Sequence, residues 1–106
     1  MHERIIMPGT GIMLYVLKKM PIKYELVQEV DGNYSCWTVD GIITHGTGAT
    51  ELECRRDLIS SLQDIAEEYM NKFEDWFEHN PQEFPEVLKI INSSSEDLLE
   101  CLTLAN

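Results

Sequence analysis

The fold is decided by residues 22–70, IKYELVQEVDGNYSCWTVDGIITHGTGATELECRRDLISSLQDIAEEYM, where one periodicity gives way to another. From Ile22 the period is two: Ile22, Tyr24, Leu26 and Val30 fall on one side, Lys23, Glu25 and Glu29 on the other. That alternation marks a half-buried strand. Asp31-Gly32-Asn33 tolerate positive φ and predict a tight hairpin turn. The aromatic and β-branched run YSCWTV at 34–39 predicts the return strand. Asp40-Gly41 is a second turn signal. IITH at 42–45 then reads as a third short strand, and Gly46-Thr47-Gly48 closes the meander.

The period switches to 3.6 at Thr50. Thr50 and Glu53 form a capping box, in which the hydroxyl and the carboxylate each satisfy a free amide at a helix start. Glu51 and Glu53 also suit the positive end of the helix dipole. Leu58, Ile59, Leu62, Ile65, Ala66, Tyr69, Phe73, Trp76 and Phe77 form the apolar stripe, and Asp57, Asp64, Glu67, Glu68, Glu74, Asp75 and Glu78 fill the other face. A helix unbroken over 51–79 is about 43 Å long at 1.5 Å per residue. It outruns a small sheet, whose strands of five to seven residues cover about 16–24 Å. Phe73, Trp76 and Phe77 therefore need a cover, supplied by the C-terminal segment or by a second copy. The expectation is a homodimer with these three rings at its interface, because soluble monomers rarely leave such a patch in water.

Beyond the helix, Pro81 and Pro85 signal a connection. EVLKIIN at 86–92 is either a fourth strand or a helical turn, since so short an apolar run fits both. Ser94 with Asp97 predicts the cap of a last helix over 95–104, with Leu98, Leu99 and Leu102 as its apolar side. At the other end, residues 1–21 hold four of the five methionines and most of the positive charge. They are either a loose arm, in which IMLYVL at 12–17 adds an edge strand, or an over-called start with synthesis beginning near Met20. The organisation is thus an N-terminal arm or over-called start (1–21), an α+β domain (22–92) and a short helical segment (93–106). The fold class is α+β, a small antiparallel sheet of three to four strands with one long helix on one face, in the order β-β-β-α-β.

Charge narrows the function. The chain has 106 residues and a formal charge of −11, distributed as net +3 over residues 1–24 and net −14 over residues 25–106. A surface this negative repels phosphate and argues against direct nucleic-acid binding. It speeds encounter with a basic protein instead. After residue 57 only Lys72 and Lys89 are basic, so no DNA-reading helix is present there. Cys36, Cys54 and Cys101 are an odd number without CxxC spacing, which speaks for a reducing cytoplasm. No apolar run approaches the eighteen or so residues that span a bilayer.

Chemistry finds little to stand on. His2, His45 and His79 show no ligand spacing, and His45 with Cys36 across adjacent strands makes two ligands, too few for zinc. Gly46 and Gly48 lack the third glycine of a dinucleotide fingerprint. Cys54 sits near a helix start beside Arg55 and Arg56, but no base pairs with it, so it reads as a structural cysteine. No catalytic, metal or cofactor residue is expected, and the chain does not read as an enzyme.

The order of motifs resembles the HicB family of antitoxins, which neutralise small basic RNA-cleaving toxins. The matching residues are Ile22–Val30, Asp31-Gly32-Asn33-Tyr34, Asp40-Gly41, Thr44-His45-Gly46-Thr47-Gly48 and Thr50-Glu51-Leu52-Glu53. The resemblance implies a HicB-like antitoxin domain that binds a small basic toxin and covers its RNA-cleaving site. Glu25, Glu29, Asp31, Tyr34 and Trp37 are the expected contacts, with a place in the core as the favoured reading for Trp37. Tyrosine and tryptophan are favoured interface anchors. The alternative is a stand-alone structural or regulatory homodimer of the same fold, with no toxin and no enzymatic activity.

Overall fold

The computed structural model describes residues 16–106. Strands β1 (Ile22–Gln28), β2 (Tyr34–Thr38) and β3 (His45–Gly48) precede helices α1 (Glu51–Asn71) and α2 (Phe73–His79). A 3-10 turn (Pro81–Glu83), α3 (Phe84–Ile91), α4 (Ser95–Cys101) and β4 (Leu102–Leu104) complete the order. The sheet runs β3-β2-β1-β4. Its first three strands are antiparallel, and β4 lies parallel to β1. The α+β class and the strand-strand-strand-helix order are as the periodicity predicts.

The fourth strand is not at 86–92. That segment takes the helical alternative as α3, with Pro85 in the first turn, where a missing N–H costs nothing. The strand comes from residues 102–104, the end of the expected last helix. The helices carry the chain from the β3 edge to the far side of β1, and a chain that returns by such a crossover arrives parallel. The third strand begins at His45, so IITH is mostly loop. Thr38 explains why. Its buried hydroxyl donates to the Ile42 carbonyl at 2.7 Å and accepts the Thr44 N–H at 2.9 Å. The loop is pinched shut there, with Ile42 buried and Ile43 64% exposed.

Gly46 and Gly48 lie within β3, not in a closing turn. A Cβ at Gly46 would sit 2.5 Å from the Leu58 nitrogen, and one at Gly48 equally close to the Cys54 nitrogen. Glycine lets α1 pack directly on the strand, which outweighs its poor strand propensity. The capping box forms, with a shift: Thr50 accepts the Glu53 N–H at 3.1 Å, while Glu53 reaches back to the Ala49 N–H at 3.0 Å. The α1 stripe buries Cys54, Leu58, Ile59, Leu62, Ala66 and Tyr69. Val30, expected on the buried side, is fully exposed because β1 ends at Gln28 and the turn has already begun.

The long helix is interrupted at Lys72, whose φ of −119° and ψ of 43° are not helical. Past this break the aromatic residues meet α3. Phe84 stands 5.3 Å from Phe73, 5.4 Å from Phe77 and 6.1 Å from Tyr69 between ring centres. Trp76 packs edge-on against Tyr69 at 5.8 Å. Phe73 and Trp76 are thus half-buried within the chain, and Phe77 keeps 39% of its surface exposed. Much of the cover that these rings require comes from their own C-terminal segment.

Of the IMLYVL run, residues 12–15 lie outside the described residues, and Val16 and Leu17 are helical, not strand. Lys89 ties this helical turn to the core. It is 1% exposed, and its ammonium donates to the Leu17 and Lys18 carbonyls, each at 2.9 Å. The Leu17 carbonyl also accepts the Met20 N–H at 3.2 Å, and the ammonium adds a charged donor at this helix end.

Candidate partner-binding face

Strand alternation divides the sheet into two chemically different faces. Ile22, Tyr24, Cys36 and Thr38 are buried on the helix side. Lys23, Glu25, Val27, Ser35, Trp37, His45 and Thr47 project to the other side. The register aligns Glu25 with Trp37 and Trp37 with His45 across three strands, and Val27 with Ser35 and Ser35 with Thr47 beside them. Val39 continues this side, its N–H bonded to the Lys23 carbonyl at 3.1 Å. Among the described residues the helices gather on the Cys36 side. The opposite face presents a half-buried tryptophan with a carboxylate on one flank and an imidazole on the other.

The β1–β2 turn extends this face with a fixed acidic tip. The Asp31 carboxylate accepts the Asn33 N–H at 3.0 Å and its side-chain amide at 3.2 Å. Gln28 donates to the Gly32 carbonyl at 3.2 Å. Gly32 takes φ of 91°, as the turn signal requires. Glu29 and Asp31 then flank Val30, which is exposed although strand periodicity puts it on the buried side.

Of the five expected contact residues, the structure brings Glu25 and Trp37 together on the open face and places Glu29 and Asp31 at its tip. Tyr34 faces the other way. It aligns with Gly48 and packs against the cluster of Tyr24, Cys36, Cys54 and Leu58. Two residues further along the strand, Cys36 points the same way, so Tyr34 is a core-side residue.

The same alternation separates His45 from Cys36, which pairs with Gly46 and points to the opposite face. Cys36 meets Cys54 instead, with the two sulfurs 3.0 Å apart. The Cys36 thiol donates to the Cys54 carbonyl at 3.3 Å. Burial, then the hydrogen bond and charge of Cys54, push the Cys36 thiol up to about 12. These are packing thiols. No group of three or more His, Cys, Asp or Glu able to hold a metal ion occurs among the described residues. No described helix is long and apolar enough to cross a membrane.

A Phd-like family profile described as "Antitoxin of toxin-antitoxin, RelE / RelB, TA system" matches residues 1–103. The chain belongs to this antitoxin family. The antitoxin class is the one expected from the motif order, although the matching family carries the RelE/RelB description and not the HicB one. A crystal structure from Syntrophomonas wolfei subsp. wolfei, of a protein named as the antitoxin part of a candidate toxin/antitoxin system, superposes with a TM-score of 0.77. The two chains are 24% identical over 91% of this chain and 70% of that one, a likeness that carries the fold. No curated protein matches the sequence.

Proposed function

We propose that this antitoxin neutralises a small, basic, RNA-cleaving toxin by laying the open face of its sheet over the toxin's active surface. The carrying observation is the cross-strand row Glu25–Trp37–His45, on the face that no described helix covers. Trp37 supplies a large rigid ring at the centre, and Glu25, Glu29 and Asp31 supply acceptors for lysine and arginine around it. An aromatic centre with a charged rim is the arrangement that concentrates binding energy in few residues. The net −14 of residues 25–106 draws a basic partner in from a distance. Neutralisation is then steric and electrostatic, and no step of chemistry is required of the antitoxin. Such a pair would act in the cytoplasm.

The test is to look for a small basic protein encoded beside this chain and to measure its binding. Complex formation that slows sharply with added salt supports capture by charge, since exposed charges are screened within about 8 Å at physiological ionic strength. Association rates that stay flat from low to high salt count against it. An adjacent toxin that neither binds the chain nor loses RNA cleavage in its presence would replace this reading with a stand-alone homodimer.

A further inference from the structure

The Lys89 ammonium has three N–H donors and directs them at three acceptors. Two are the Leu17 and Lys18 carbonyls, and the third is the Cys101 sulfur at 3.2 Å. The thiol in turn donates to the Lys18 carbonyl at 3.2 Å. The backbone of one helical turn thereby holds a lysine nitrogen against a cysteine sulfur, with Lys89 buried and Cys101 half-exposed. Both side chains border open space. A groove of about 460 Å³ between Lys18, Pro21, Asp97 and Glu100 reaches Cys101. A second, of about 330 Å³, shares Pro21 as a wall and reaches Lys89 beside Asp40 and Glu86. Each is far larger than the ~30 Å³ that one water molecule occupies, so a small oxidant such as dioxygen has room to approach the pair.

We propose that Lys89 and Cys101 form an oxidative modification site, at which dioxygen joins the nitrogen to the sulfur through one bridging oxygen. The ammonium first releases a proton to water in the groove. The S–H bond and one N–H bond of the amine then break, and S–O and N–O bonds form. The O–O bond is cleaved, and the second oxygen leaves as water with the two hydrogens. Sulfur and nitrogen give up two electrons each, and dioxygen takes up all four. A bridging oxygen suits the observed separation, because a direct S–N bond would have to draw the two atoms much closer together. Four equivalents of an added thiol restore the amine and the thiol, with release of water and two disulfides. The bridge ties α3 to the residue that precedes β4, across 12 positions of sequence. A cross-link of this kind stabilises by restricting the unfolded chain. The oxidation state of Cys101 therefore sets how firmly β4 is held against β1, whether or not the Trp37 face binds a toxin.

Intact mass spectrometry of the full chain after exposure to air-saturated buffer should show one oxygen gained and two hydrogens lost, a change that excess dithiothreitol reverses. Proteolysis should release a cross-linked peptide pair containing Lys89 and Cys101, and the oxidised protein should melt at a higher temperature than the reduced one. Lys89→Arg keeps donors for both carbonyls without the amine, and Cys101→Ala removes the sulfur. Each variant should keep the circular dichroism spectrum and lose the mass change. An unchanged mass with Cys101 still fully open to alkylation would overturn the proposal. So would oxygen gained without loss of hydrogen, a loss of two hydrogens alone that maps to Cys36 and Cys54, or a bridged mass that persists in Lys89→Arg.

Discussion

The Glu86 carboxylate accepts the Ile42 N–H at 2.7 Å, joining α3 to the loop between β2 and β3 across 44 positions of sequence. Burial raises the Glu86 pKa above its ordinary 4.5, against the lowering effect of this hydrogen bond, with Asp40 and Glu83 adding repulsion. A carboxyl raised in the folded state favours folding most when protonated. Its contribution is complete below 4.5 and is lost as pH climbs through the raised value. Glu86→Gln keeps an acceptor for Ile42 and removes the desolvated charge. Urea midpoints of the variant and the natural chain should therefore converge in acid and separate towards neutral pH, with the variant the more stable. Curves that run parallel across this range would place the Glu86 carboxylate in solvent.

The three thiols should differ in reactivity. Cys36 and Cys54 are buried, and Cys101 is half-exposed. With its thiol at about 12 against an ordinary 9.0, Cys36 presents about a thousandfold less thiolate than a free cysteine. Alkylation of the native protein followed by mass spectrometry should label Cys101 first and leave the other two for the denatured chain. Equal labelling of all three would show that the β2–α1 contact opens readily.

Two buried polar side chains hold the β2–β3 loop and the helical turn at residues 16–19 in place. Thr38→Val removes both the donor to Ile42 and the acceptor for Thr44, and should cost about 1–3 kcal/mol. Lys89→Met releases the carbonyls of Leu17 and Lys18 and should cost about 1.5–3 kcal/mol. Denaturant unfolding reads both values. The Lys89 variant should also admit protease near residues 16–21, and a stable variant that resists cleavage would deny Lys89 its anchoring role.

Along α1 the stripe is graded. Leu62 is fully buried and Ile65 only partly so. Leu62→Ala should cost about 2–5 kcal/mol, Ile65→Ala less, and Glu67→Ala about half a kcal/mol or below. Similar losses at all three positions would mean that the helix lies on a different face.

Trp37 and Tyr34 sit three residues apart on opposite sides of β2, and their truncations should part accordingly. Trp37→Ala should weaken toxin binding by about 2 kcal/mol or more, the scale of an interface anchor, with a small effect on unfolding. Tyr34→Ala should lower stability and leave the affinity of the folded fraction unchanged. The reverse pattern, read by titration calorimetry and thermal melts, would move the binding face to the helix side.

How much of this was legible in the chain follows the range of the interactions. The β1–β2 hairpin, the caps of α1 at Thr50 and of α4 at Ser94, and the buried stripe through Leu58, Leu62, Ala66 and Tyr69 could all be read from sequence. Each arises from backbone geometry and burial within a few residues, so periodicity and turn chemistry reveal it. The third strand was misplaced because His45–Gly48 has little strand propensity of its own and exists through contact with α1. The break at Lys72 is where the aromatic residues turn towards Phe84, which no local rule foretells. A strand of three residues such as β4 carries no period, and only pairing with β1, eighty positions away, makes it one. The open face was half readable: alternation put Glu25 on it, but whether Trp37 or Tyr34 joined it depended on the register with β1 and on which side α1 covered. Spacing along the chain settled the elements, and long-range packing decided which side chains remain free to meet a partner.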